Sequence, residues 1–252
     1  MGCKVIALFN QAGGVGKTTI TQNLGYHLSL LNQKILLIDL DPQSSLSHFM
    51  NVDTDSLEVT PYNALIEEQP LQIIPDIYGV DLVATNISLS AAEIQLVNLD
   101  FREVRLKEAI EPLLDAYDYI LIDCPPSLGL LSYSALIAST HVLIPIETHF
   151  KAFQGTNLLL ETISRVKKRG NKNLVIAGFI PSRYSKTNSQ DQRTLKAIQE
   201  EFSSIAQVYE PIPRLTAFVD ASEEGLPLAK YEPKSLGVEI FKNLASSIHN
   251  EL

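Results

Sequence analysis

Short apolar runs alternate along the chain with longer segments whose apolar residues recur at helical spacing. Buried strands are predicted at 5–9, 34–40, 119–122, 141–147 and 174–179. These runs are continuously apolar rather than alternating, which is typical of a parallel sheet that is covered on both faces. Apolar residues follow a helical spacing at 20–31, directly after the first run. The pattern therefore predicts an α/β fold.

The remaining segments extend this alternation. An amphipathic helix is predicted at 101–116. Further helices are predicted to end at 166 and at about 202, and the last helix is predicted from 235 onward. The pattern is less regular between 44 and 100, where it predicts short helices at 60–66 and 90–97 and short strands at 71–74 and 80–84. We expect residues 1–252 to form one doubly wound domain with a mostly parallel sheet flanked by helices.

A glycine-rich stretch joins the first strand to the first helix. It consists of Gln11, Ala12, Gly13, Gly14, Val15, Gly16, Lys17, Thr18 and Thr19. A strand, a glycine-rich turn and a helix that opens on Gly-Lys-Thr form the context of a phosphate-binding P-loop. Backbone N–H groups and the positive end of the helix would surround the anion. Lys17 is predicted to contact the β- and γ-phosphates and Thr18 to ligate Mg²⁺. A glycine-rich turn without a ligand is the weaker alternative.

Aspartates stand where two further strands end. Asp39 and Asp41 close the run 34–40, and Asp123 closes the run 119–122. Because ligands bind at the carboxyl ends of strands in open α/β sheets, all three are expected at the nucleotide. Asp123 is predicted to hold Mg²⁺ through water. The alternative is that these aspartates only cap solvated turns.

Three segments carry a resemblance to a known family. Residues 10–19 resemble the deviant P-loop of the ParA/MinD family, whose members are ATPases that position plasmids, chromosomes, division sites and protein cargoes in bacteria. Ile-Asp-Leu-Asp-Pro-Gln at 38–43 and Asp-Cys-Pro-Pro-Ser at 123–127 are similar to two further motifs of that family. The resemblance covers nearly the whole chain. It implies a P-loop NTPase fold, ATP and Mg²⁺ as cofactors, and hydrolysis of ATP to ADP and phosphate.

The resemblance also implies roles for single residues. Asp39 is expected to support the Mg²⁺ shell and Asp41 to orient the attacking water. Pro213 belongs to an Ile-Pro-Arg segment that is similar to the one beside the adenine in the family. Arg183, on the loop after the strand 174–179, is expected to contact the nucleotide.

The sequence departs from the family at position 12. The family's signature lysine precedes the Gly-Gly pair and crosses the dimer interface to the partner's phosphates, but this sequence has Ala12 there. Facing ATP molecules concentrate negative charge, so a cation from elsewhere is expected. Lys151, just past the strand 141–147, is the first candidate to act in trans, and Lys186 is the second.

The resemblance implies an ATP cycle with several partners. The chain is expected to form a homodimer on ATP, to bind nonspecific nucleoid DNA, and to be stimulated by an adaptor or cargo protein. Its cargo would be a plasmid, a chromosome or a protein organelle such as the carboxysome, because the carboxysome-positioning McdA-type subgroup also strays from the usual lysine. A substitute basic patch for DNA would consist of Arg183, Lys186, Arg193 and Lys196.

Composition limits the location and the partners. The net charge of −9 argues against a strongly basic nucleic-acid binder, although it leaves room for a local basic patch. No apolar run approaches the ~20 residues of a membrane span, and no signal peptide precedes the first strand, so a cytoplasmic protein is expected. The final helix is not rich in Lys or Arg on its exposed side, which argues against membrane targeting and favours docking on the core.

Three other functional classes remain as alternatives. An ATP-dependent reductase similar to the nitrogenase iron protein would need two cysteines on one face, whereas Cys3 and Cys124 are expected at opposite ends of strands. A GTPase would need an aspartate that the segment 171–174, Asn-Lys-Asn-Leu, lacks. A MinD-like membrane-associated regulator is disfavoured by the last helix.

Overall fold

A seven-stranded sheet forms the centre of the molecule, which we describe from a computed structural model covering residues 2–252, with the side chains of 150–154 outside the description. The strands are β1 (Lys4–Leu8), β2 (Ile35–Asp39), β3 (Ile74–Ile77), β4 (Val80–Val83), β5 (Tyr119–Asp123), β6 (His141–Glu147) and β7 (Val175–Ser182). Their spatial order is β3-β4-β2-β5-β1-β6-β7. Only the edge pair β3–β4 is antiparallel among these seven strands. The predicted doubly wound α/β fold is confirmed.

Helices cover both faces of the sheet. They are α1 (Lys17–Ser29), α2 (Ser45–Phe49), α3 (Pro61–Glu67), α4 (Leu89–Leu96), α5 (Arg105–Ile110), α6 (Leu130–Ala138), α7 (Phe150–Arg169), α8 (Ser189–Phe202), α9 (Ala217–Glu223), α10 (Leu228–Tyr231) and α11 (Leu236–Glu251). Successive residues of a strand point to opposite faces. Thus Ala7 packs in a core cluster with α3 to α8, whereas Ile6 and Leu8 pack in a second cluster with α1, α2 and α11. Two hydrophobic layers therefore enclose the sheet.

The central strands bring three motifs to one edge. β5 lies between β1 and β2 and runs parallel to both. Its last residue, Asp123, is paired in register with Leu8 and with Asp39. The carboxyl ends of β1, β2 and β5 therefore meet, and the glycine-rich loop follows directly from one of them.

Two predicted elements differ from the structure. The helix predicted at 101–116 is shorter: α5 covers Arg105–Ile110, Phe101 has a left-handed backbone, and Pro112 lies in a 3₁₀ turn. Proline has no N–H and its ring clashes with the preceding turn, so the α-helix ends before it. The strand predicted at 71–74 lies instead at Ile74–Ile77, where it forms a hairpin with β4.

The last helix docks on the core, as predicted. α11 packs against α1 and buries an apolar face that includes Ile240, Phe241, Leu244 and Ile248. Across the described residues, no helix combines the length and the apolar character that crossing a membrane requires.

Candidate nucleotide-binding site

The glycine-rich loop has a backbone that presents its N–H groups to a ligand. Gly14 and Gly16 have φ angles of 74° and 89°, a left-handed conformation that glycine adopts without strain. None of the hydrogen bonds found among the described residues uses the N–H of Gly14, Val15 or Gly16. Gly16 is also the N-cap of α1, so these donors stand at the positive end of a helix. Such a loop is suited to bind phosphate.

The Lys17 side chain folds back over the same loop. Its Nζ donates to the carbonyl oxygens of Asn10 at 3.0 Å and Ala12 at 3.1 Å. Burial lowers the pKa of Lys17, although the nearby Asp123 carboxylate opposes this shift. The ammonium group is therefore held at the phosphate loop in a site with little solvent, where its charge acts strongly.

Asn10 fixes the entrance of the loop and was not singled out from the sequence. Its Nδ2 donates to the carbonyl of Pro145 on β6 at 2.6 Å, and its Oδ1 accepts from the N–H of Ala12 at 2.9 Å. Next to it, Gln11 donates through Nε2 to the carbonyl of Gly155 on α7 at 3.1 Å. The loop is thus attached to β6 and to α7.

The two strand-end aspartates differ in how their oxygens are used. The Oδ2 atom of Asp123 accepts a 2.7 Å hydrogen bond from Thr18, but its buried Oδ1 has no hydrogen-bond partner in the described structure. Asp39 is fully satisfied, because Oδ1 accepts from the N–H of Asp41 and Oδ2 accepts from the N–H and hydroxyl of Ser47. Burial raises the pKa of both carboxyls, and the charge of Asp39 raises that of Asp123 further.

This arrangement fits a magnesium ion. Mg²⁺ prefers oxygen ligands and keeps several waters, so one or two protein oxygens beside a nucleotide phosphate suffice. Thr18 and the unpartnered oxygen of Asp123 supply such ligands, and Asp39 would support them from behind. No group of three or more His, Cys, Asp or Glu side chains among the described residues could hold a metal by itself. A cation here would therefore need further oxygens from phosphate and water.

A cleft of about 180 Å³ continues from the loop toward the carboxyl end of β7. Its lining residues are Gly14, Gly16, Thr19, Ile20, Ser182, Arg183, Ile212, Pro213, Arg214, Leu215, Phe218 and Val219. Pro213 is thus in the cleft, as expected for a residue beside a base. Arg214 belongs to the same Ile-Pro-Arg segment, whereas Phe218 and Val219 come from α9, a helix that the sequence pattern did not predict.

Arg183 lies at the rim of this cleft. Its Nη1 donates to the carbonyl of Gly14 at 3.2 Å, and its Nε is 3.2 Å from Oε1 of Glu147. The same Glu147 oxygen lies 3.7 Å from Nη2 of Arg214. Arg183 therefore contacts the phosphate loop itself, while its side chain stays 49% exposed in the lining of the cleft. Its predicted contact with the nucleotide stays a prediction.

The structure also gives positions for the predicted catalytic residues outside the loop and for the predicted DNA patch. Asp41 lies just past β2, half-buried, where its Oδ1 accepts from the N–H of Gln43 at 3.0 Å. Lys151 is in α7, but its side chain lies outside the described residues. In the predicted DNA patch, Arg183 is paired with Glu147 and Lys196 with Glu200, which reduces the free positive charge of that surface.

Two alternative functions lose support. Cys3 precedes β1 and Cys124 follows β5, and the parallel register of these strands separates the two levels by about 20 Å at ~3.3 Å per residue. The two thiols therefore do not share a cluster site. Asn171, considered for guanine recognition, donates instead to the carbonyls of Leu136, Ile137 and Ser139 at the end of α6.

Comparisons with known sequences agree with this geometry. A family model described as an AAA domain matches residues 3–176. The sporulation initiation inhibitor protein Soj of Bacillus subtilis is 36% identical over 249 residues, which cover 97% of this chain and 98% of Soj. The chromosome partitioning protein ParA of Myxococcus xanthus is 35% identical over 249 residues, covering 97% of this chain and 87% of that protein.

Solved structures show the same architecture. Cobyrinic acid a,c-diamide synthase from Mycobacterium smegmatis, with bound ATP analogue and magnesium, is 30% identical with a TM-score of 0.87, covering 98% of this chain and 95% of that one. A complex of ATP with a variant of McdA from Cyanothece has a TM-score of 0.86, covering 98% of this chain and 96% of that one. At 24% identity, this second likeness concerns the fold alone.

Proposed function

This chain belongs to the ParA/MinD family of P-loop ATPases, and from that premise we propose that it binds ATP with Mg²⁺, dimerises on ATP, and hydrolyses it to position or segregate a cargo. One observation carries the nucleotide part of this proposal. The inward N–H groups of the loop stand beside Lys17, Thr18 and the unpartnered Oδ1 of Asp123. Donors for phosphate and an oxygen for a cation therefore converge on one place.

The residues divide the chemistry between them. Lys17 and the loop N–H groups hold the β- and γ-phosphates, where charge develops during phosphoryl transfer. Thr18 and Asp123 would hold Mg²⁺, which when bound neutralises phosphate charge. Asp41 orients the attacking water, since it follows Asp39 at the mouth of the site without being tied to the loop.

The part of the proposal that concerns the cargo and the partners rests on similarity to relatives of this chain. The chromosome partitioning proteins among them support a role in segregating DNA. The proposed cycle comprises ATP-dependent dimerisation, binding to nonspecific nucleoid DNA in the cytoplasm, and release when an adaptor or cargo protein stimulates hydrolysis. A protein organelle such as the carboxysome is the alternative cargo, because Ala12 stands in place of the usual lysine and the carboxysome-positioning subgroup also strays from that lysine.

Light scattering after gel filtration tests the proposal with two variants. Asp41→Ala should retain ATP binding and accumulate as a dimer of twice the 27.9 kDa chain mass with ATP, but not with ADP or without nucleotide. Lys17→Ala is the matched control, which should stay monomeric in all three conditions. A monomer for Asp41→Ala at saturating ATP would contradict the dimerisation step, whereas parental turnover by this variant would remove Asp41 from catalysis.

A further inference from the structure

Two successive residues at the end of β7 hold the outer side of the phosphate loop. Ser182 donates through Oγ to the carbonyl of Val15 at 2.8 Å, and Arg183 donates through Nη1 to the carbonyl of Gly14 at 3.2 Å. Ser182 is buried and is the last residue of β7, and Arg183 follows it directly. The two carbonyls are thus fixed from outside the loop, 167 and 169 residues away in sequence.

Because the peptide group is planar, a contact with a carbonyl on the outside of the loop also fixes the direction of the next N–H group. The carbonyl of one residue and the N–H of the next share a rigid plane and point in opposite directions in a trans peptide. Holding the Gly14 carbonyl outward therefore aims the Val15 N–H inward, and holding the Val15 carbonyl does the same for the Gly16 N–H. These are N–H groups that no acceptor in the described structure uses.

Arg183 is itself held in an unusual conformation. Its backbone φ is +54°, a left-handed value that costs energy for a residue with a side chain. The surrounding structure stabilises it, because the N–H of Tyr184 donates to the carbonyl of Ile212 and Glu147 pairs with the guanidinium at 3.2 Å. Strained backbones that are held so firmly are found where function needs a fixed side chain.

We propose that Arg183 is a positioning residue for nucleotide binding, which acts through the Gly14 carbonyl and is itself held in place by Glu147. Glu147 ends β6 and Arg183 follows β7, so the pair links two strand ends to the loop between β1 and α1. The inference rests on the proposed function, since it names how the same site is preorganised. It also differs from the prediction that Arg183 contacts the nucleotide directly.

Isothermal titration with ATP, ADP and inorganic tripolyphosphate separates the two roles. Arg183→Gly is the informative variant, because glycine accepts the left-handed backbone and the fold is preserved. If Arg183 acts through the loop, its loss should weaken ATP, ADP and tripolyphosphate alike, each by about tenfold, the equivalent of one hydrogen bond to a charged group. Weakened ATP and ADP with unchanged tripolyphosphate would instead indicate contact with the base or ribose, and would overturn the proposal.

Glu147→Gln gives a second test, in which the two roles predict opposite signs. Removing the carboxylate should loosen Arg183 and lower the affinity for all three ligands, and combining Glu147→Gln with Arg183→Gly should add little to the latter alone. Because Glu147 also pairs with Arg214, the comparison is made in an Arg214→Gln background. If Arg183 were a direct phosphate ligand, unmasking its charge there would raise the affinity, and that result would refute the inference. Arg183→Lys should recover part of the lost affinity by reaching the Gly14 carbonyl.

A control separates this inference from the proposed function. Lys242→Gln removes a surface cation on α11 that is paired with Glu239, and it should leave all three affinities within twofold. A parent protein that fails to bind ATP would contradict the proposed function. A parent that binds ATP with unchanged affinity in Arg183→Gly and Glu147→Gln would contradict only the positioning role.

Discussion

Replacing Ser47 by alanine should destabilise the protein far more than the loss of one surface hydroxyl would. Ser47 is fully buried in α2, where its hydroxyl makes two hydrogen bonds. It donates to Oδ2 of Asp39 at 2.7 Å and accepts from the N–H of Thr85 at 2.9 Å. The hydroxyl therefore joins α2, the end of β2 and Thr85, the second residue after β4.

The expected loss follows from these two bonds. Burial raises the pKa of Asp39 to about 7, so the measurement is made above that pH, where the carboxylate is charged. A hydrogen bond to a charged group contributes about 1.5–3 kcal/mol, and a buried donor left without a partner costs about 1–3 kcal/mol. The N–H of Ser47 still donates to Asp39 at 2.8 Å, which retains part of the interaction. We therefore expect Ser47→Ala to lower the free energy of unfolding by about 2–4 kcal/mol.

Urea unfolding of the nucleotide-free protein, followed by circular dichroism, measures this quantity. Ser134→Ala is the matched control, because Ser134 is also fully buried but, among the described residues, its hydroxyl makes only a long 3.5 Å hydrogen bond to the carbonyl of Arg102. The control should lose less than about 1 kcal/mol. Equal losses for the two variants, with equal denaturant slopes, would refute the reasoning about Asp39 and Thr85.

Two further predictions concern pH and the second protomer. Burial lowers the pKa of His27 to about 4, so the folded state resists protonation, and the free energy of unfolding should fall by up to about 3 kcal/mol as pH drops from 6.5 to 4. His27→Phe keeps a ring beside Phe241 and should lose less stability over this range in urea titrations at each pH; an unchanged pH dependence would contradict this origin. Lys151→Ala should weaken ATP-dependent dimerisation and turnover while monomer nucleotide binding stays nearly intact, as measured by light scattering and titration; normal dimerisation would remove Lys151 from the site.

The sequence pattern was most informative where burial was complete. β1, β2 and β5 are buried along nearly their whole length, so their continuously apolar runs predicted central parallel strands. It was least informative at the sheet edge, where β3 is only partly buried and is positioned by a hairpin. That turn uses Tyr78 and Gly79, both with positive φ, and tyrosine at such a position gives no local signal.

Only part of the candidate site could be predicted from local sequence patterns. Lys17, Thr18, Asp39 and Asp123 belong to local motifs next to strands, and the parallel register brings them together. The contacts that hold the loop to β6 and to the end of β7 could not be predicted in this way. Pro145, Ser182 and Arg183 lie 135 or more residues away in sequence from the groups they contact. Their position depends on the strand order of the folded sheet, which no local pattern of serine or arginine encodes.

Phosphate release from ATP tests the central claim most directly. The parent protein and Lys17→Ala should be compared with Mg²⁺ and with the metal removed by chelation, after circular dichroism has shown that both are folded. The parent should release phosphate only when Mg²⁺ is present, and Lys17→Ala should release none above background because it lacks the ammonium group at the phosphate loop. Equal phosphate release by the two proteins, or a parent that neither binds nor hydrolyses ATP, would contradict the assignment of this loop as the ATPase site.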